Sequence, residues 1–174
     1  METDSSRIFE RLMAAEELPL EAAGRGNSKD EAEVDHWCMP VLLERAGYLR
    51  KLARAGDGAA SETLREYEGH SAMLSVRLRS GAAEFHQRFA DVFIVLDGHA
   101  TLVTGGTIVD AREVGVGEIR GVEVEGGARR ELRAGDVAHV PAGTPHQMLL
   151  SGEKGFVSLV IKIEQNGDKR AAAG

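Results

Sequence analysis

Gly135-Asp136-Val137-Ala138-His139-Val140-Pro141-Ala142-Gly143-Thr144-Pro145-His146 is the stretch on which the reading of this chain turns. A glycine turn opens a short apolar run, Val137 to Val140. Pro141 ends it, because proline cannot continue a strand ladder. Gly143 then allows a tight turn, and His146 opens the next strand. The spacing G-x5-P-x-G-x2-H therefore places one imidazole at a strand start, held by a turn with little freedom.

A second stretch lies upstream, from Glu84-Phe85-His86 through Asp91 to Gly98. Four residues separate His86 from Asp91, and six separate Asp91 from Gly98. Together the two stretches resemble the paired motifs of the cupin superfamily, small β-barrels that often hold one metal ion. The resemblance implies a single-domain, all-β, jelly-roll-like double-stranded β-helix barrel over about Ser61 to Ile163. It also implies His146 and His86 as metal ligands. Three positions depart from the family's pattern. Glu84 stands where a histidine is expected, Asp91 replaces a glutamate, and Leu150 replaces a frequent asparagine.

The residues carry the same chemistry on their own. On a strand, side chains at i and i+2 share a face, so Glu84 and His86 project together. Asp91 begins the next strand, and the fold must bring His146 in from far along the chain. Glu84, His86, Asp91 and His146 form a nitrogen and oxygen set suited to one divalent first-row metal: Zn, Mn, Fe, Ni or Co. If only three of them bind, two histidines and one carboxylate leave positions open for substrate. Asp91 could instead hydrogen-bond a ligating histidine. Taken singly, Glu84 and His86 read as ordinary surface residues of a strand.

Composition narrows the function. A chain of 174 residues suffices for one domain with a core, and 21 glycines suit a turn-rich β protein. A net charge of −7 argues against nonspecific nucleic-acid binding and against an anionic membrane surface. One cysteine, Cys38, excludes an intrachain disulfide. No basic start followed by an apolar run is visible, and no run is long enough to span a membrane, so the expected location is cytoplasmic.

Residues 1–56 read as a helical extension. Ser6 caps a helix carrying Ile8, Phe9, Leu12 and Met13, and 24–30 is a polar loop. Pro40 starts a second helix, with Leu42, Ala46, Leu49 and Ala53 on one face and Gly56 as its stop. Residues 57–164 are the barrel and 165–174 a frayed tail. Asp91 to Leu96 and Ala100 to Val103 are expected as a hairpin about Gly98-His99. The glycine-rich segment 105–127 is read as turns with an extra hairpin, covering the barrel mouth or packing outside.

Phe156 to Ile163 alternates between an apolar face and a mixed one, Phe156, Ser158, Val160 and Lys162. Arg77 lies on a similar mixed face. The rarity of buried lysine favours a solvated outer face. If these faces instead line the cavity, Arg77 and Lys162 could bind a substrate carboxylate. The expected function is dioxygenase-, isomerase- or lyase-type chemistry on a small molecule at a divalent metal. The alternative is a non-catalytic cupin that binds or senses a small ligand around a structural metal. A homodimer is expected, because a single barrel leaves apolar sheet surface and edges to cover.

Overall fold

The computed structural model describes residues 34–152 and 154–165. The helix expected after Ser6, the loop at 24–30 and residues 166–174 of the tail lie outside the described residues. Among the described residues one helix, α1 (Met39–Ala55), precedes twelve strands. They are β1 (Ala59–Tyr67), β2 (His70–Arg77), β3 (Ala83–His86), β4 (Phe89–Thr104), β5 (Thr107–Ile108), β6 (Arg112–Gly115), β7 (Glu118–Gly121), β8 (Val124–Glu125), β9 (Ala128–Arg133), β10 (Val137–Val140), β11 (His146–Leu149) and β12 (Phe156–Glu164).

Every strand pairing is antiparallel, and the main sheet runs β1-β2-β12-β4-β11-β3-β7-β6, with β9 and β10 also on β4. β4 joins two halves of this curled sheet. Its first half pairs with β12 and β10. Its second half pairs with β11 and β9. The hairpin expected about Gly98-His99 is therefore not formed: Phe89 to Thr104 is one bent strand of 16 residues. Gly98 is the bend, with φ of 83°. A Cβ there would sit 2.2 Å from the Gly155 carbonyl oxygen, so only glycine lets β12 approach so closely. The glycine expected in a hairpin turn serves instead at a corner between sheets.

Between the two half-sheets lies a core of Val95, Ala100, Leu102, Leu132, Val140, Met148 and Phe156. The outer face of the first half-sheet is covered by α1, whose Leu42, Ala46, Leu49 and Ala53 are buried as their spacing foretold. The helix packs on β1 and β2, where Ala72, Leu74 and Val76 are also buried. With that apolar face turned toward α1, the alternate residues Met73, Ser75 and Arg77 must face inward. Arg45 of α1 pairs with Glu62, and Arg50 Nη2 donates to Asp97 Oδ2 at 3.1 Å. Segment 105–127 carries β5 to β8. The β6–β7 hairpin extends the sheet by pairing β7 with β3.

Candidate metal centre

The two sequence motifs meet on adjacent strands. His146, first residue of β11, stands opposite Glu84 of β3. The turn before it has Gly143 at φ 74°, and the Gly143 amide donates to the His86 carbonyl at 2.8 Å. That bond ties the tight turn of one motif directly to a ligand residue of the other. Glu84, His86 and His146 each offer a ligand atom, and these atoms lie within 4.8 Å of one another. The two imidazole centroids are 5.4 Å apart. Donors bound about 2 Å from a common ion stand roughly 3 to 4 Å apart, so a small settling of side chains closes the set.

Both rings are held with Nδ1 turned away from this centre. His86 Nδ1 hydrogen-bonds Glu118 Oε2 at 2.5 Å. His146 Nδ1 donates to the Thr144 carbonyl at 3.1 Å. In each ring the remaining nitrogen, Nε2, faces inward, which is how metal-binding histidines are oriented by an outer partner. His146 Nε2 is buried and makes no hydrogen bond among the described residues, although Asp91 Oδ2 lies 3.4 Å away. A buried imidazole nitrogen without a partner is costly unless something else binds it. The donor set therefore fits a divalent ion.

Asp91 is 3% exposed and central to the electrostatics. Its Oδ2 is 3.3 Å from His86 Nε2, and its Oδ1 accepts from Lys162 Nζ at 2.8 Å. Lys162 Nζ also lies 3.1 Å from His86 Nε2. Glu84 Oε2 stands 3.5 Å from His86 Nε2, and Glu84 Oε1 accepts from Arg77 Nη2 at 3.2 Å. Burial alone would raise the carboxyl of Glu84, but His86, Arg120 and Arg77 together bring it down to about 2. Burial likewise opposes the ionised form of Asp91, and contacts with His146, His86 and Lys162 overcome it, holding that carboxyl far below the ordinary range. For His86, burial disfavours the charged ring, yet Asp91 and Glu84 outweigh it and lift the imidazole to about 9. Without metal, the centre is thus a nearly charge-balanced knot of acids and cations.

The structure brings Glu84, His86, Asp91 and His146 together, and it also turns Arg77 and Lys162 inward. Both cations line a cavity of about 50 Å³ beside the centre, together with Ser75, Phe93, Met148 and Ser158. The solvated outer face expected for Arg77 and Lys162 is therefore corrected. α1 occupies the outside of β2, and each cation has a carboxylate partner inside. His36, His70, His99 and His139 are exposed. Gln147 points away from the centre, with its amide spanning Gly81, Val122 and Val124.

Two residues that the sequence reading passed over belong here. Glu118 and Arg120 lie on β7 in register with β3, Glu118 opposite His86 and Arg120 opposite Glu84. Arg120 Nη2 is 3.8 Å from Glu84 Oε2, and Arg120 Nη1 is 3.5 Å from Glu118 Oε2. Their i, i+2 spacing inside a glycine-rich segment was the available signal.

No family model matches the sequence, and no curated protein does. Several solved structures are similar to part of the chain. KdgF from Halomonas sp. is 16% identical, with 62% of this chain and 82% of that chain covered at a TM-score of 0.45. The DMSP lyase DddQ from Ruegeria pomeroyi DSS-3 is 20% identical at a TM-score of 0.45, with 67% of this chain covered but only 50% of that one. A Cupin 2 conserved barrel domain protein from Salinispora arenicola CNS-205 is 19% identical, with 63% and 76% covered at a TM-score of 0.42. Strand order, the bend of β4 and the meeting of the two motifs on β3 and β11 make the described fold a curled, antiparallel all-β sheet covered by one helix.

Proposed function

We propose that this protein is a metal-binding cupin that acts on a small anionic molecule in the cavity beside Glu84, His86 and His146. The observation that carries this reading is the inward-facing pair of Nε2 atoms, each fixed by a partner on Nδ1, with His146 Nε2 buried and without a hydrogen bond among the described residues. Glu84, His86 and His146 would hold the ion. Bound there, it would polarise an oxygen of the substrate as a Lewis acid.

The chain's own groups do the rest. Three protein donors beside a cavity leave room for a ligand, whereas a purely structural ion is enclosed by four. Arg77 and Lys162 bring two positive charges to the cavity, Glu84 and Asp91 two negative ones. A divalent ion with neutral imidazoles would make the loaded site positive overall, which favours an anion. Neither carboxyl retains a proton near neutrality, so Asp91 serves to aim Lys162 rather than to store a proton. The reaction on such a ligand would be of dioxygenase, isomerase or lyase type.

The second reading is a non-catalytic binding or sensing protein. It is favoured by Lys162, which already supplies a cation to Asp91 and His86. The two separate in one experiment: thermal shifts with a panel of small carboxylates, run with and without Mn²⁺ or Co²⁺. The first reading requires stabilisation by carboxylate that depends on metal. Equal stabilisation of chelated protein would overturn it.

A cytoplasmic homodimer remains part of the proposal, tested by light scattering at tens of micromolar. Among the described residues no helix is long and apolar enough to cross a membrane.

A further inference from the structure

β2 and β12 lie side by side along the cavity, and their register sorts the inward side chains into rungs. Arg77 stands opposite Phe156, Ser75 opposite Ser158, and Met73 opposite Val160. All six line the cavity. The middle rung is the unusual one. Ser158 is 3% exposed, and neither serine hydroxyl has a hydrogen-bond partner among the described residues. Both serines line the cavity, where a ligand oxygen can reach their hydroxyls. Met73 and Val160 stand on the next rung on one side and Arg77 and Phe156 on the other, so the hydroxyls lie between an apolar rung and one that carries a guanidinium.

Side chains directly opposite each other on adjacent strands are close enough to act on one atom. Two hydroxyls can both donate to a carbonyl oxygen, or one can donate while the other accepts from an alcohol. They carry no charge, so they suit a neutral oxygen, whereas Arg77 and Lys162 suit a carboxylate. A cavity of about 50 Å³ is small, which favours a short-chain ligand.

We propose that the Ser75–Ser158 rung is a subsite for a hydroxyl or keto oxygen. The ligand is then a short-chain carboxylate bearing a second oxygen, such as a hydroxy or oxo acid. This subsite rests on the reading of the cavity as a metal-assisted carboxylate site.

The test is calorimetric titration of Co²⁺-loaded protein with propionate and with lactate, which differ by one hydroxyl. Wild type binds lactate more tightly, by roughly tenfold for the gain of one or two neutral hydrogen bonds. Ser158→Ala and Ser75→Ala each reduce that preference, while propionate binding and cobalt content stay unchanged. Equal binding of the two acids by wild type overturns the subsite alone. So does a lactate preference that survives in both variants. Binding of neither acid by protein that holds cobalt overturns the carboxylate reading, and the subsite with it.

Discussion

The two walls of the cavity are built by different means. On β3 and β11, the two imidazoles are fixed from behind. Glu118 and the Thr144 carbonyl hold the two imidazoles, and the Gly143 amide anchors the turn to His86. On β2 and β12, the functional groups are held from the front or not at all. Arg77 leans on Glu84 across the cavity, Lys162 leans on Asp91 directly opposite it on β4, and the two serines have no hydrogen-bond partner among the described residues. Partners behind a group preorganise it without occupying its working face. Partners in front can be exchanged for a ligand. The first wall is thus suited to hold an ion in fixed geometry, and the second to receive and release a ligand.

The largest effect should come from breaking the fixed wall at its ligands. His146→Ala or His86→Ala is expected to lower Co²⁺ affinity, followed by the cobalt absorption spectrum, by more than the roughly 10–100-fold that loss of an outer partner costs. Ser158→Ala serves as the contrast and should leave cobalt affinity unchanged. The outer partner itself comes next. Glu118→Ala should weaken cobalt by about 10–100-fold. Glu118→Gln, whose amide oxygen can still accept from His86 Nδ1, should recover most of the loss. If Glu118→Ala binds cobalt as wild type does, the tie behind His86 has no function.

On the exchangeable wall the effects fall on the ligand. Arg77→Gln should weaken lactate binding to the loaded protein by about tenfold, as expected for one charge-assisted hydrogen bond. Metal content should not change. A fall in metal content with unchanged lactate affinity would reverse the division between the walls.

The smallest effect is in the pH dependence of metal-free stability. His86 is held at about 9 against an ordinary 6.5, so its contribution is complete below the unfolded value and is lost as pH rises through the folded one. Glu84 is held at about 2 against 4.5, so its contribution is present above 4.5 and is lost as pH falls through 2. Between pH 7 and 10 the thermal midpoint of chelated protein should drop by a few degrees. That decline should be absent in His86→Gln and in the metal-loaded protein, where the imidazole is already unprotonated.

Much of the fixed wall was legible in the sequence. Its signals are local: His146 follows a proline and glycine turn, and Glu84 and His86 share a strand face. The helix face of Leu42, Ala46, Leu49 and Ala53 was equally readable, because it repeats with the helical period. The exchangeable wall was readable only as an alternation without a direction. Nothing near Arg77 or Lys162 says which side of the strand α1 will cover, and the scarcity of buried lysine pointed the wrong way. β9 was not foreseen. Arg129, Arg130, Glu131 and Arg133 crowd it with charge, and Leu132 is its one buried side chain. At Gly98 a hairpin turn was expected, but a turn and a corner demand the same residue, and the partner strand, β12, decides between them.

The most direct measurement is elemental analysis of freshly purified protein, prepared without added metal, beside His146→Ala prepared in the same way. Glu84, His86 and His146 acting as ligands should give wild type close to one equivalent of a divalent first-row metal per chain, and the variant almost none. Equal metal in both proteins would contradict the assignment. So would a wild type that is metal-free and stays so after dialysis against Mn²⁺, Fe²⁺, Co²⁺, Ni²⁺ and Zn²⁺ in turn.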